Sequence, residues 1–175
     1  MSEPAGCNRV FICLGSNVEP EVNLPAAVAL LAGYGVIRAA STVYETLPVG
    51  DDDQANFLNA AVLLETTATL GDVREQIVPA IESALGRIRL PGHRNGPRTI
   101  DLDVALFNDA VTGSGRRALP DPDIDRYAIV AIPLAELQPD YVHPISGKSL
   151  KTIAGRLSIA AGDLCPRDDV RLIPG

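Results

Sequence analysis

Thr99-Ile100-Asp101-Leu102-Asp103-Val104-Ala105-Leu106 alternates with a period of two, the pattern of a strand that packs on one face only. The alternation sets Ile100, Leu102, Val104 and Leu106 on the packed face and Thr99, Asp101 and Asp103 on the other. Upstream, Val10 to Leu14 is a short apolar run ended by Gly15-Ser16-Asn17, a strand entering a tight turn. A helix follows from Leu24 to Leu31, with Asn23 as its N-cap, Pro25 in its first turn and Gly33 beyond its end. Val36 to Tyr44 and Phe57 to Glu65 read as the second and third strands, separated by the Pro-, Gly- and Asp-rich loop Glu45 to Asn56, a site candidate. Leu70 to Leu85 spaces its apolar residues by three and four as an amphipathic helix, in which Pro79 predicts a kink or an early break. With Ile100 to Phe107 as the fourth strand the order is βαββαβ, a ferredoxin-like α+β core with a mostly antiparallel sheet and helices packed on it. Arg126 to Leu137 and Leu150 to Leu157 add short C-terminal helices.

The chain has 175 residues, 46% hydrophobic and 21% charged, enough apolar material for one core and one domain. The expected division is a flexible N-terminus over 1–8, a core over 9–158 and a C-terminal tail over 159–175. Against 15 Lys and Arg stand 22 Asp and Glu, a net charge of −7, which argues against nucleic acid as a partner. No run approaches the roughly 18 apolar residues of a membrane span, and Met1 to Asn8 carries no apolar signal core. Cys7, Cys13 and Cys165 form neither a CxxC pair nor a zinc spacing, and Cys13 reads as a buried small hydrophobe. A soluble protein of the reducing cytoplasm is expected.

Asp101 and Asp103 lie two residues apart on one strand face, about 7 Å, so flexing carboxylates can converge on one divalent cation or share two. Hard oxygen ligands favour Mg²⁺. Taken alone, Asp-x-Asp reads rather as the solvated face of an edge strand than as a metal site. Its flank differs from the rest of this acidic chain: Arg87, Arg89, Arg94 and Arg98, with His93, lead into it without a single acid. Metal-holding carboxylates beside guanidinium forks are what polyphosphate transfer needs. Gly92 and Gly96 would let the arginines swing inward. No GxxxxGK[ST], GxGxxG or kinase catalytic-loop motif is present.

Three blocks carry a resemblance: Leu14-Gly15-Ser16-Asn17; Tyr44-Glu45-Thr46-Leu47-Pro48-Val49-Gly50 with Asp53-Gln54-Ala55-Asn56-Phe57-Leu58-Asn59-Ala60-Ala61-Val62; and Gly96-Pro97-Arg98-Thr99-Ile100-Asp101-Leu102-Asp103. In order and separation, from about Val10 to Pro144, they resemble the 6-hydroxymethyl-7,8-dihydropterin pyrophosphokinase family. The resemblance implies ATP-dependent transfer of a pyrophosphoryl group to the pterin hydroxymethyl oxygen, with release of AMP, in folate synthesis. It implies Asp101 and Asp103 as ligands for two Mg²⁺ ions and Arg98 as a phosphate contact. Arg87 and Arg89 match mobile-loop arginines that close over ATP. Thr46 and Asn59 fall where the family bonds the amino-pyrimidinone edge of the pterin, and Phe57 where an aromatic stacks on its ring. Main-chain groups of Pro48, Val49 and Gly50 supply the rest, and Glu82 matches a recurrent glutamate that orients the site or is simply a solvated helical residue. Adenine contacts are expected from main-chain groups of Val104 and of Arg116 to Ala118.

The block Leu119-Pro120-Asp121-Pro122-Asp123-Ile124-Asp125-Arg126-Tyr127-Ala128-Ile129-Val130 resembles the family with key side chains changed. Asp121 stands at a nucleotide-contacting His, Tyr127 at a phosphate-binding Arg, and Ile129 at the second pterin-stacking Phe; Asn95 replaces a loop Trp. Lost charge and added repulsion predict weaker ATP binding or slower transfer, and half an aromatic sandwich costs about 0.5–1.5 kcal/mol beyond burial. Arg126 stands ready to replace the missing guanidinium, and Ile129 to cover the ring. The expectation is an active but atypical enzyme. The alternatives are a divergent member with another acceptor, or a pterin- or nucleotide-binding protein without turnover. His143 reads as structural or surface.

Overall fold

Asn8–Ser16 (β1) alternates so that Val10, Ile12 and Leu14 face one side of the sheet and Phe11 the other. The computed structural model describes residues 6–48, 53–88, 91–92, 96–160 and 164–173. After β1 come Pro20–Leu31 (α1), Val36–Ala40 (β2), Tyr44–Thr46 (β3) and Phe57–Thr66 (β4). A helical stretch follows from Leu70–Asp72 (α2) through a π turn at Val73–Ile77 into Val78–Ala84 (α3). Asp101–Phe107 (β5), Ala128–Leu137 (α4), Leu150–Ala160 (α5) and Cys165–Pro166 (β6) complete the described elements. The sheet order is β5-β1-β4-β3-β6, with β2 also paired to β4, and every pairing is antiparallel.

Two cores sandwich this sheet. On one side Val10, Ile12, Leu14, Val62, Leu64, Leu102 and Val104 pack with Leu24, Val28 and Leu31 of α1 and Ile77 and Ile81 of the second helical stretch. On the other, Phe11, Ala61, Leu63, Ala105 and Leu106 meet Ala131, Leu134 and Leu137 of α4 and Leu150, Ile153 and Ala154 of α5. Removing apolar area from water at about 25 cal/mol per Å² drives both.

Several expectations are corrected. The first helix starts four residues before Leu24, because Pro20 carries the preset φ of a first helical residue; Glu19, at φ 43°, precedes it. Asn23 is therefore no N-cap, and its Nδ2 donates to Val18 O at 2.6 Å. Pro79 does not break its helix. The π turn widens the backbone just before α3, and Pro79 sits in the first turn after it, where the missing N–H and the ring are tolerated. Val36 to Tyr44 is two strands, since the buried Ser41 interrupts the ladder: its N–H donates to Ala61 O at 2.9 Å and its Oγ accepts from Ala61 N at 2.8 Å. Leu106 lies on the face opposite Leu102 and Val104. The register shifts where Phe11 pairs Leu106 and Ile12 pairs Val104, so the extra residue, Ala105, inverts the alternation.

Asn8 and the segment from Cys165 to Leu172 also enter the fold. Asn8 begins β1, its Nδ2 donating to Ala68 O at 2.8 Å, so the expected flexible N-terminus over 1–8 ends before it. The segment read as a tail adds β6 to the edge of β3 and buries Val170 and Leu172 in the first core.

Candidate functional site

Helices α4 and α5 cover only part of their sheet face. Beyond them lie Gly15 on β1, Phe57 and Asn59 on β4, Thr46 on β3 and Asp101 and Asp103 on β5, none fully buried. Gly15 pairs with Asp101 on one side and Asn59 on the other, so it separates the acidic strand from the amide. A Cβ there would stand 3.2 Å from Asn59 Oδ1, and its absence keeps this floor open.

Asp101 is the charge centre of the floor. Arg98 Nη1 donates to its Oδ2 at 2.7 Å, and Arg87 Nη1 donates to its Oδ1. The same Arg87 nitrogen reaches Glu82 Oε1 at 3.0 Å and Ile100 O at 3.1 Å. Glu82 is buried and its Oε1 also accepts from Leu102 N at 3.1 Å, fastening α3 to β5. Of the two readings of Glu82, solvated helical residue and orienting group, the geometry matches the second.

Asp103 has no hydrogen bond or ion pair among the described residues, and its side chain is exposed. Burial, then the negative charges of Asp101, Asp121 and Glu82, push its carboxyl up to about 7, with Arg87 opposing. Excess negative potential between two neighbouring carboxylates is the state a divalent cation relieves, so the donor set fits a hard metal ion. Among the described residues no group of three or more His, Cys, Asp and Glu forms a cage. Cys13, opposite Asp103, is half-buried rather than fully buried; burial and the charges of Asp121 and Asp103 raise its thiol pKa and keep it unreactive.

The residues expected at a flat heterocycle also converge. Asn59 Nδ2 donates to Thr46 Oγ1 at 2.8 Å, and Phe57, paired with Thr46, lies 5.9 Å from the Arg98 guanidinium over its ring. Arg98 and Phe57 therefore adjoin. Pro48, two residues beyond the end of β3, is half-buried, while Val49 and Gly50 lie outside the described residues.

Arg89, His93, Arg94 and Asn95 likewise lie outside the described residues. Val104 has its side chain in the core, and the adjacent Ala105 O accepts from Asp121 N at 2.9 Å, which brings Asp121 to the open edge of β5. Asp121 caps a 3₁₀ turn by accepting from Asp123 N at 2.9 Å; burial raises its pKa, and the charges of Arg126 and Arg74 pull the other way. Asp121 and Arg126 line a cavity of about 490 Å³ with Ala118, Leu119 and His143. Arg116 is exposed on the 3₁₀ turn Gly115–Arg117. Tyr127 is 54% exposed at the start of α4, leaving room beside it, and Ile129 is half-buried outside both cores.

Two residues escaped the sequence reading. Asn17 is buried and brackets Arg98: its N–H donates to Arg98 O at 3.1 Å and its Oδ1 accepts from Arg98 N at 2.9 Å. Its Nδ2 donates to Gln54 Oε1 at 2.9 Å, so one amide ties the first turn, the loop before Phe57 and the arginine together. Its place in the Leu14 to Asn17 block was the available signal. Arg74, half-buried on the π turn, feels the charges of Asp103 and Asp121, and nothing in helical periodicity marks it.

Fold and site together define an α+β enzyme of the phosphoryl-transfer kind. The family model described as 7,8-dihydro-6-hydroxymethylpterin-pyrophosphokinase matches residues 11–139. The chain is 40% identical over 152 residues to the 2-amino-4-hydroxy-6-hydroxymethyldihydropteridine pyrophosphokinase of Methylorubrum extorquens, covering 85% of this chain and 93% of that protein. It is 41% identical over 133 residues to the protein of the same name from Bacillus subtilis, covering 74% and 78%. The crystal structure of Plasmodium falciparum HPPK-DHPS with pteroate superposes with a TM-score of 0.66 at 14% identity, covering 89% of this chain and 43% of that longer one, a likeness of fold. The chain belongs to the 7,8-dihydro-6-hydroxymethylpterin pyrophosphokinase family.

Proposed function

We infer that this chain transfers the pyrophosphoryl group of ATP to the hydroxymethyl oxygen of 6-hydroxymethyl-7,8-dihydropterin, in folate biosynthesis, and that the open half of the sheet is where it does so. The hydroxymethyl oxygen bonds to the β-phosphorus, the bridge between α- and β-phosphates breaks, AMP leaves with the bridging oxygen, and the hydroxyl proton is released. The observation that carries the site assignment is Arg98, bonded to Asp101 at 2.7 Å and lying 5.9 Å over Phe57, which joins a phosphate-handling floor to an aromatic platform.

Asp101 and Asp103 would hold magnesium, two ions in this reading, with phosphate oxygens and water filling the remaining positions. When bound, the metal screens phosphate charge and polarises the phosphorus under attack. Arg87 and Arg98 hold Asp101 until phosphate oxygens compete for their guanidiniums, which then bind the triphosphate as planar forks. Arg89 joins them from the loop. Asn59 and Thr46 read the amino-pyrimidinone edge, since an amide both donates and accepts, with main-chain groups of Pro48 to Gly50. Phe57 stacks on the ring and Ile129 covers its other face by apolar contact. Val104 and Arg116 contact the adenine through main chain, and Arg126 supplies a cation near Asp121, where Tyr127 brings none. Both cores share one sheet, which supports a single domain; a cytoplasmic monomer is the matching cellular reading, and among the described residues no helix is long and apolar enough to cross a membrane.

The test incubates the protein with Mg-ATP and the hydroxymethyl dihydropterin and resolves nucleotides and pterins by chromatography. AMP and pterin diphosphate should form in equal amounts. ADP or inorganic phosphate in place of AMP, or no pterin-dependent nucleotide loss, would overturn the reading.

A further inference from the structure

Arg167, far from Asp101 in sequence and outside the residues matched by the family model, bonds three carboxylates through its guanidinium. Its Nε and Nη2 fork onto Asp169 at 2.8 Å each, its Nη2 reaches Glu21 Oε1 of α1 at 3.3 Å, and its Nη1 reaches Glu45 Oε2 of β3 at 3.2 Å. Its own N–H donates to Val43 O at 2.7 Å, directly before β3. The other oxygen of Glu45 accepts from Asn56 Nδ2 at 3.1 Å. One carboxylate therefore connects Arg167 to the residue immediately before Phe57 and belongs to the residue immediately before Thr46.

The strand at stake is short. β3 has three residues, paired on one side with Phe57 to Asn59 and on the other with β6, so without the segment that follows α5 it would be a three-residue edge. That segment is anchored by Val170 and Leu172 in the first core, which makes it a fixed support. Glu45 alternates with Thr46 along the strand, so Arg167 acts from behind the floor on which Thr46, Phe57 and Asn59 stand.

We propose that Arg167 and the segment Cys165 to Leu172 position the pterin subsite: the guanidinium holds Glu45, and through it both β3 and the start of β4, in the spacing that a flat heterocycle needs. Arg167 touches no substrate; it is a positioning residue. The proposal rests on the reading of Thr46, Phe57 and Asn59 as the pterin subsite. A misplacement of even 1 Å in such a subsite weakens recognition without disturbing groups on the far side of Gly15.

The experiment measures KM for the hydroxymethyl dihydropterin and for Mg-ATP, and kcat, in the full chain and in Arg167→Ala, Arg167→Lys, Glu45→Gln and the double variant of Arg167→Ala with Glu45→Gln. Expected for Arg167→Ala is a rise of about 5–10-fold in pterin KM with ATP KM and kcat within about twofold, an intermediate value for Arg167→Lys, and no further rise in the double variant. Equal rises in both KM values, which mark general loosening, overturn the proposal, as does a pterin KM within twofold of the parent. Asn59→Ala separates the two layers: if it leaves pterin KM unchanged, the subsite reading fails and this inference with it; if it raises pterin KM while Arg167→Ala does not, the inference alone fails.

Discussion

The two halves of one sheet face are made by the same strands and have opposite fates. Along β1, β4 and β5, Phe11, Ala61, Leu63 and Ala105 lie under α4 and α5 and are excluded from water. A few residues further along the same strands, Gly15, Asn59, Phe57, Asp101 and Asp103 stand on that face outside the buried core that α4 and α5 form. Period-two alternation sends both sets to the same side, and the extent of α4 decides which becomes core and which becomes floor. The lesson is that polar residues at in-facing positions of a strand are affordable only where helix cover stops, and there they are free to bind a ligand.

The sharpest way to break this comparison is to remove charge from the open half. Asp103→Ala should lower kcat by about 1,000-fold, since in the proposed reaction it removes charge where phosphate and metal would meet. Its thermal midpoint at pH 8 should stay level or rise, because a carboxyl whose pKa is pushed up to about 7 is strained when ionised. A variant that keeps parental turnover would make Asp103 an ordinary surface residue of β5, and one that unfolds would make it a structural one.

In the covered half the signature inverts. Leu134→Ala, fully buried in the second core, should cost about 2–5 kcal/mol in denaturant unfolding while kcat per folded molecule stays within a factor of two or three. A large kcat loss with unchanged stability would show that the two halves are not separable.

A smaller effect sharpens the boundary between them at the start of α4. Tyr127 is 54% exposed, so Tyr127→Arg has room to restore a phosphate-facing cation, and ATP KM should fall by about 3–10-fold with pterin KM unchanged. No change in ATP KM would mean that this position does not face the nucleotide.

The smallest effect belongs to His143, which is buried, with Nδ1 accepting from Ile145 N at 3.3 Å and Ser146 N at 3.2 Å. Burial lowers its pKa below 6.5, with Asp125 opposing. The unfolded chain thus takes up the proton first, so the contribution of His143 to stability is complete above pH 6.5 and is lost as pH falls through the lowered folded value. Unfolding midpoints between pH 7.5 and 5 should drop more steeply for the parent than for His143→Asn; parallel curves would remove His143 from the acid response.

Legibility followed the length of the periodic signal. β1, β4 and β5 are long apolar alternations, and the βαββαβ order read from them matches the sheet. Ser41 was opaque because a hydroxyl substituting for a ladder acceptor has no pattern, and Pro79 misled because a π turn is invisible to a 3.6-residue period. In the candidate site, three blocks in register pointed to Asp101, Asp103, Thr46, Phe57 and Asn59, which the sheet brings to one face. Asn17 and Arg167 act through main-chain and long-range partners, such as Glu21, 146 residues away, and such pairings leave no local trace.

By itself the sequence determined which residues alternate, where the acidic pair meets an arginine-rich stretch, and the family to which those blocks are similar, because strand period and charge are local properties. Only the tertiary structure decided that Arg87 and Arg98 share Asp101, that Glu82 is buried between α3 and β5, that Leu106 changes face, and that the segment after α5 supports β3. Each depends on how far one element reaches across another, which packing settles after the chain has folded.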